Sequence, residues 1–174
     1  PVHRVHDVID LLASSEWQTQ FPTVASRIQF THSMLFQDAG GHDFDLHWHM
    51  MEECCLPEAE QAVWAHAIPV QVGPVSTHLP NHTDHLIHTL VHGLRWEQFS
   101  PIRWVADSVT ILRRAGSGGV DWDRLIDRVQ FCKVVVPMRL GLHYLAKKYD
   151  APIPSDVLSH LDRISVPRRE VNEF

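Results

Sequence analysis

Acidic and imidazole side chains alternate with apolar ones between His42 and Met50. Successive side chains of a β-strand point to opposite faces, so an extended conformation gives this stretch two different faces. The apolar face consists of Phe44, Leu46, Trp48 and Met50. The other face carries only groups that can bind a proton or a metal ion: Asp43, Asp45, His47 and His49.

Neighbours on this ionisable face lie roughly 6.5–7 Å apart along the strand. Two carboxylates and two imidazoles on one short face are unfavourable, through repulsion and desolvation, unless a ligand uses them. The pattern therefore predicts a site for a divalent cation, or for a cation that a phosphate carries in. The alternative interpretation is an amphipathic edge strand with a solvated polar face, which describes most alternating strands, and it stays open.

A second group of ionisable residues falls on a helix predicted to end at about residue 94. At 100° per residue, the apolar side chains of this helix share one side: Leu86, Ile87, Leu90, Val91 and Leu94. His85, His88 and His92 fall within about 60° of one another on the opposite side. Three imidazoles on one face can bind a metal ion, but a solvated helix face carries them equally well. Both interpretations stay open.

Capping residues mark the starts of the next two helices. Ser100-Pro101 is an N-cap followed by proline in the first helical position, and Asp121 caps the helix after it. On the first of these helices, Arg103 and Asp107 are four residues apart and can form an ion pair. A simple surface pair accounts for that spacing as well as a binding site does.

Hydrophobic periodicity and turn residues predict an α+β fold. The first third contains a helix near residues 5–15, a hairpin over about residues 28–50 and a helix over residues 57–67. Short strands over about residues 68–79 complete a small antiparallel or mixed sheet. A helical C-terminal part follows, with helices at about residues 81–94, 101–115, 122–132, 134–149 and 155–164. We expect an α/β part over residues 1–80, a helical part over residues 81–166 and a loose tail over residues 167–174.

Composition limits the classes of function. The chain has 174 residues, a formal charge of −6 and no basic run, so nucleic acid is not an expected partner. A nucleotide that brings its own magnesium is compatible with this charge. No apolar run approaches the roughly 20 residues of a membrane span, so no membrane partner is expected. Three cysteines without a C-x-x-C spacing indicate reduced thiols and a cytoplasmic protein.

Taken in their order along the chain, these motifs resemble a family of bacterial uncharacterised nucleotidyltransferases of the polymerase-β-like superfamily. Asp43-Phe44-Asp45-Leu46-His47-Trp48 is similar to the x-D-L-H-W strand of that family. The helix that bears His92 follows, then Arg103-Trp104-Val105-Ala106-Asp107, which is similar to its W-x-x-D helix. Asp121-Trp122 then opens the next helix. The resemblance runs from the first helix to about Pro154.

The resemblance implies that Asp45 is the third carboxylate of the superfamily's site, either a metal ligand or the base that activates the acceptor hydroxyl. Asp43 would be a second metal-binding carboxylate beside it. The reaction implied is a two-metal in-line displacement at the α-phosphate of a nucleoside triphosphate. The cofactor would be Mg²⁺ or Mn²⁺, and the acceptor is unidentified. The substrate-binding residues implied are His47, His92, Arg103 and Asp107.

The chain departs from the superfamily pattern at its start. A Gly-Ser motif and a D-x-D pair precede the x-D-L-H-W strand in the superfamily, and neither is found before residue 43. Asp43 and Asp45 have D-x-D spacing but lie on the later strand. Two interpretations follow: the C-terminal portion of a longer enzyme, or a variant that lost its first metal pair. A sheet shortened in this way leaves an edge that could pair with another copy, so a homo-oligomer is a hypothesis.

Two other functions stay open. A metal-dependent phosphohydrolase would use the helical histidines together with a nearby carboxylate, Asp84 or Asp107. A non-catalytic accessory or binding domain would keep the strand without its chemistry, and the missing D-x-D strand favours this alternative.

Overall fold

The computed structural model describes residues 2–21, 28, 30–95, 102–115 and 119–173. The predicted helix start at Ser100-Pro101 lies outside these residues, as does residue 29 in the first predicted strand. The chain divides into two compact units, Pro1–Trp64 and Ala65–Phe174. Within the described ranges each unit has one two-stranded antiparallel sheet together with α-helices, which confirms the α+β class.

The first unit is built around one helix and one hairpin. Its regular elements are α1 (Val5–Ser14), β1 (Ser33–Gln37), β2 (Asp43–His47) and α2 (Pro57–Ala65). Short 3-10 turns precede α1 and α2, and Pro57 occupies the first position of α2, where its missing N–H costs no helical hydrogen bond. A cluster of buried side chains joins α1 to the inner face of the hairpin: Val5, Met34, Phe36 and Trp48.

The first hairpin is shorter than the sequence predicts. β1 begins at Ser33, because the chain before it turns and is held by Trp48, whose indole N–H donates to the carbonyls of Ile28 (3.2 Å) and Thr31 (2.7 Å). β2 ends at His47, because the next two amides, of Trp48 and His49, both donate to the His32 carbonyl. Trp48 and His49 thus both lie opposite His32, as in a β-bulge, and the alternation of side-chain faces along β2 stops there.

The second unit begins with a second hairpin and continues as helices. Its elements are β3 (Ile68–Val72), β4 (Val75–Leu79), α3 (His82–Gly93), α4 (Arg103–Ala115), α5 (Trp122–Cys132), α6 (Val135–Tyr149), α7 (Ser155–Arg163) and α8 (Arg168–Glu173). Gly73 supplies the positive φ of the β3–β4 turn. Asn81 and Asp121 cap α3 and α5 by accepting from backbone N–H groups, as the sequence predicts for Asp121.

The structure places two regional boundaries differently from the sequence prediction. The compact units divide at residues 64 and 65, so the β3–β4 hairpin belongs with the helices and not with residues 1–64. Residues 168–173 form α8 instead of a loose tail. The carboxylate of Glu170, which is buried, accepts from the backbone N–H of Val136 (2.7 Å) and thereby caps the first turn of α6 from a distance. Among the described helices, none combines the length and apolar character needed to cross a bilayer.

Candidate active site on the first hairpin

The outward face of the β1–β2 hairpin carries three of the predicted site residues. The strand register places three residue pairs on this face: Ser33 with His47, Leu35 with Asp45, and Gln37 with Asp43. Their neighbours along the strands, Met34 and Phe36, are buried against α1. We call the six residues the outer face. The side chains of residues 43–47 alternate in direction as the sequence predicts, but Phe44 on the inner side is itself exposed.

Each carboxylate of the outer face contacts one polar side chain among the described residues. Asp43 Oδ1 accepts a hydrogen bond from Gln37 Nε2 across the strands (3.0 Å). Asp45 Oδ2 lies 2.8 Å from His47 Nε2. The ring of His47 also meets that of His32 edge to face, with 5.2 Å between ring centroids. Half of the Asp45 side chain is exposed, so its second oxygen can reach a ligand without opening the fold.

The donor chemistry of this face fits the implied cofactor. Mg²⁺ prefers oxygen ligands and is commonly held by one or two carboxylates together with substrate phosphates and water. Asp43 and Asp45 supply such carboxylates side by side. Within the described residues, no three His, Cys, Asp or Glu side chains converge as a metal-binding group. The outer face therefore fits a metal ion that arrives with a triphosphate better than a metal ion held by protein groups alone.

His49 does not belong to this face, contrary to the expectation from the sequence. It follows the point where β2 ends and is buried, at 7 % exposure. Its Nδ1 has no hydrogen-bond partner among the described residues. Burial lowers the pKa of His49, and the charge of Glu60 offsets that effect in part. His49 is therefore a buried imidazole that favours the neutral form.

The turn between the strands is held by Asp38, which together with the Gly40-Gly41 pair is a hairpin turn signal in the sequence. The Asp38 carboxylate accepts from the backbone N–H groups of Gly40 and His42 and contacts the His42 ring at Nδ1 (2.9 Å). These hydrogen bonds lower the pKa of Asp38, and the same contact raises the pKa of His42. The predicted hairpin turn is therefore present, and the Asp38 side chain binds the backbone two residues on, as aspartates of turns commonly do.

The other predicted site residues all lie in the second unit. His92 is exposed on α3, and its ring stacks on that of His88, with 5.6 Å between centroids. Arg103 and Asp107 are exposed on α4, and no ion pair joins them in the described part of the chain. Burial lowers the pKa of His85, an effect that the charge of Asp107 partly offsets. The structure thus groups Asp43, Asp45 and His47, and assigns the remaining three to another compact unit.

Asp84, a carboxylate of the phosphohydrolase alternative, is already engaged. It is 1 % exposed, and its Oδ2 lies 2.6 Å from Arg124 Nη2, while Oδ1 lies 3.4 Å from Arg128 Nε. The Asn81 side chain also donates to Oδ2 (2.6 Å). Asp84 therefore joins α3 to α5 and is not directed at solvent, which weakens the phosphohydrolase interpretation.

Comparison with known proteins bears on the family of this chain. No curated protein and no solved structure matches it. A protein family described as uncharacterised nucleotidyltransferase matches residues 2–150, which covers the candidate strand and every element from α1 to α6. Because the match extends over most of the 174 residues, the chain belongs to this nucleotidyltransferase family.

Proposed function

We propose that this chain acts in the metal-dependent transfer of a nucleotidyl group from a nucleoside triphosphate to an acceptor hydroxyl. One observation supports the proposal most. Asp43 and Asp45 share the exposed outer face of a strand, in a chain that belongs to a nucleotidyltransferase family. Carboxylates in such a position can serve a metal-bound triphosphate from solvent without a change of fold.

In the proposed reaction, the acceptor hydroxyl oxygen forms a bond to the α-phosphorus, and the bond from that phosphorus to the bridging oxygen breaks. Pyrophosphate leaves with the electron pair, and the hydroxyl proton passes to Asp45 or to water. When bound, Mg²⁺ or Mn²⁺ neutralises charge on the triphosphate and on the leaving pyrophosphate. Gln37 donates a hydrogen bond to Asp43, and Asp45 Oδ2 is hydrogen-bonded to His47 Nε2. Both carboxylates therefore have defined positions.

His92, Arg103 and Asp107 belong to the second unit, and the binding roles that the family resemblance implies for them stay predictions. Arg103 is exposed, and its guanidinium suits phosphate oxygens because it is planar and stays charged. His92 and Asp107 are exposed as well. The proposal assigns the chemistry to the outer face alone.

Calorimetric titration tests the proposal. A non-hydrolysable ATP analogue is titrated into the chain with Mg²⁺ and, separately, with EDTA. The wild type is compared with Asp45→Asn and with a control, Asp10→Asn, which removes the same charge from an exposed position of α1. We expect Mg²⁺-dependent binding that Asp45→Asn weakens by about tenfold, or about 1.4 kcal/mol, while Asp10→Asn leaves it unchanged.

Two results would overturn the proposal. The first is the absence of nucleotide binding by the wild type. The second is equal binding by Asp45→Asn and the control, because the nucleotide would then lie away from the outer face. Either result would favour the non-catalytic binding domain.

A further inference from the structure

A cavity of about 720 Å³ lies in the first unit, beside the hairpin. We propose that this cavity binds the acceptor, and that the acceptor is a small organic cation that carries hydroxyl groups. The inference rests on the proposed nucleotidyl transfer, because it names the class of the second substrate. The volume is within the range of small-molecule sites, roughly 300–1,000 Å³.

Two residues connect the cavity to the outer face. Leu35 lines the cavity and lies directly across the strands from Asp45. Gln37 also lines it, and its side-chain amide donates to Asp43. A molecule in the cavity therefore lies against β1, the strand paired with the one that carries both candidate carboxylates. This is the position that the acceptor needs if its hydroxyl group is to reach a phosphate held at Asp45.

The cavity wall favours a positive charge and hydroxyl groups. Glu16 and Asp38 provide two carboxylates, of which Asp38 is also hydrogen-bonded to the turn amides and to the His42 ring. Gln18 and Gln20 provide side-chain amides, which can both donate to and accept from a hydroxyl. Among the described residues of the wall there is no lysine or arginine. An anionic acceptor, such as a sugar phosphate, would be repelled by the two carboxylates and would have only neutral donors to bind it among the described residues of the wall.

Glu16, in the cavity wall, has a backbone conformation that is unfavourable for any residue except glycine. It follows α1 with a φ of 64°, in the left-handed region. The backbone bonds from Glu16 N to Ala13 O and from Trp17 N to Leu12 O form a Schellman motif, in which this position is usually glycine. A side chain here costs roughly 1 kcal/mol relative to glycine. Glycine would thus stabilise the turn but remove one of the two carboxylates from the cavity.

A matched pair of sugars tests the inference. The probes are the β-1,4-linked glucosamine disaccharide, which has two amines, and its di-N-acetylated form, which is neutral but keeps the same ring hydroxyls. Each is titrated into the ¹⁵N-labelled chain without nucleotide and followed by amide chemical shifts. We expect the amine form to shift signals of residues 16–20 and 35–39, and the acetylated form to bind several-fold more weakly.

Variants at one position separate binding from folding. Glu16→Gln should weaken the amine probe about two- to fivefold, the size expected for an exposed charge pair. Glu16→Gly should weaken it similarly while the melting temperature stays equal or rises. Asp10→Asn, which removes a charge outside the cavity, should bind as the wild type does.

The outcomes distinguish the two proposals. Equal binding of both sugars, shifts that map elsewhere, or indifference to Glu16→Gln would overturn the cationic acceptor and leave the nucleotide titration unaffected. Glu16-dependent binding of the amine probe by a chain that binds no nucleotide would overturn the acceptor role itself. Support requires both selective amine binding in the cavity and nucleotide binding that depends on Asp45.

Discussion

At the scale of single residues, the contacts that matter most join positions far apart in the chain. Asp84 is the clearest case, because the sequence shows an ordinary acidic residue in the first turn of a helix. In the structure it is buried against Arg124, forty positions later. A carboxylate near the N-terminus of a helix is predictable. Its partner on another helix is not, because no local pattern encodes which arginine will reach it.

Replacing Asp84 by alanine should destabilise the second unit strongly. The change removes the carboxylate that pairs with the buried Arg128 and the partly buried Arg124, and a broken buried pair costs about 3–5 kcal/mol. Urea unfolding followed by circular dichroism measures the loss. The control Asp127→Asn removes an exposed carboxylate from α5 and should change the unfolding free energy by no more than about 0.5 kcal/mol. Similar values for the two variants would contradict the assignment of Asp84 as a buried ion-pair residue.

His49 should make the first unit sensitive to acid. Burial holds its pKa below the ordinary value of 6.5, so the unfolded chain binds more protons than the folded chain when the pH falls below that value. Stability is therefore present above about pH 6.5 and is lost as the pH falls towards the folded-state pKa. His42 has the opposite effect on the pH dependence of stability. Its pKa is raised in the folded chain, so its contribution is present at low pH and is lost as the pH rises.

The variant His49→Leu isolates this contribution to the pH dependence. Unfolding free energies are measured in urea at pH 7.5 and pH 5.5 for the wild type and the variant. We expect the wild type to lose more stability on acidification than His49→Leu does. If both lose the same amount, His49 does not titrate differently in the folded and unfolded chains.

At the scale of elements, local signals located the helices better than the strand ends. Pro57, Asp121 and the 3.6-residue periodicity predicted α2, α5 and α6 within a few residues. The ends of β1 and β2 depend instead on Trp48, whose indole holds carbonyl groups 17 and 20 positions earlier. Alternation alone continued the strand to residue 50 and placed His49 on the wrong side. The chemical content of the outer face was predictable, and the cavity beside it was not.

Two helical glycines mark close helix crossings and should respond differently to alanine. A methyl group at Gly93 of α3 would overlap the Cβ of Trp104, which is fixed to the backbone of α4. At Gly141 of α6, the methyl would lie 2.7 Å from Leu90 Cδ2 and 3.0 Å from Leu94 Cδ1, which are ends of flexible side chains. Gly93→Ala should therefore cost about 1–3 kcal/mol, although alanine favours the helix itself by about 1 kcal/mol.

Gly141→Ala serves as the matched comparison, since it adds the same methyl group inside a helix. Its cost should be smaller because the leucine side chains can move, and the helical preference of alanine offsets part of it. Both variants are compared by urea unfolding under one condition. A larger loss for Gly141→Ala would show that the α3–α4 crossing has more freedom than the geometry allows.

At the scale of the whole molecule, the two units are unequal in their cores. The largest fully buried side chains of the described residues all belong to the second unit, including Leu86, Leu90, Met138 and Leu142. The first unit buries a smaller cluster around Phe36 and Trp48. A small core offsets less conformational entropy, so the first unit should open at a lower free energy than the second. We therefore expect the candidate site to lie on the less stable unit.

Native-state hydrogen exchange should resolve this difference. Amides of β1 and β2 are expected to exchange through openings of lower free energy than those of α3 and α6, because local stability follows buried apolar contact. Leu142→Ala should lower protection in α3 and α6 by about 2–5 kcal/mol, and Phe36→Ala should lower it in β1 and β2.

Equal opening free energies in all four elements would show that the units unfold as one cooperative body. In that case, a ligand bound at the outer face would protect the helical core as much as the hairpin. With separate openings, nucleotide binding should raise protection of β1 and β2 by RT ln(1 + [L]/Kd) and leave the slowest helical amides unchanged.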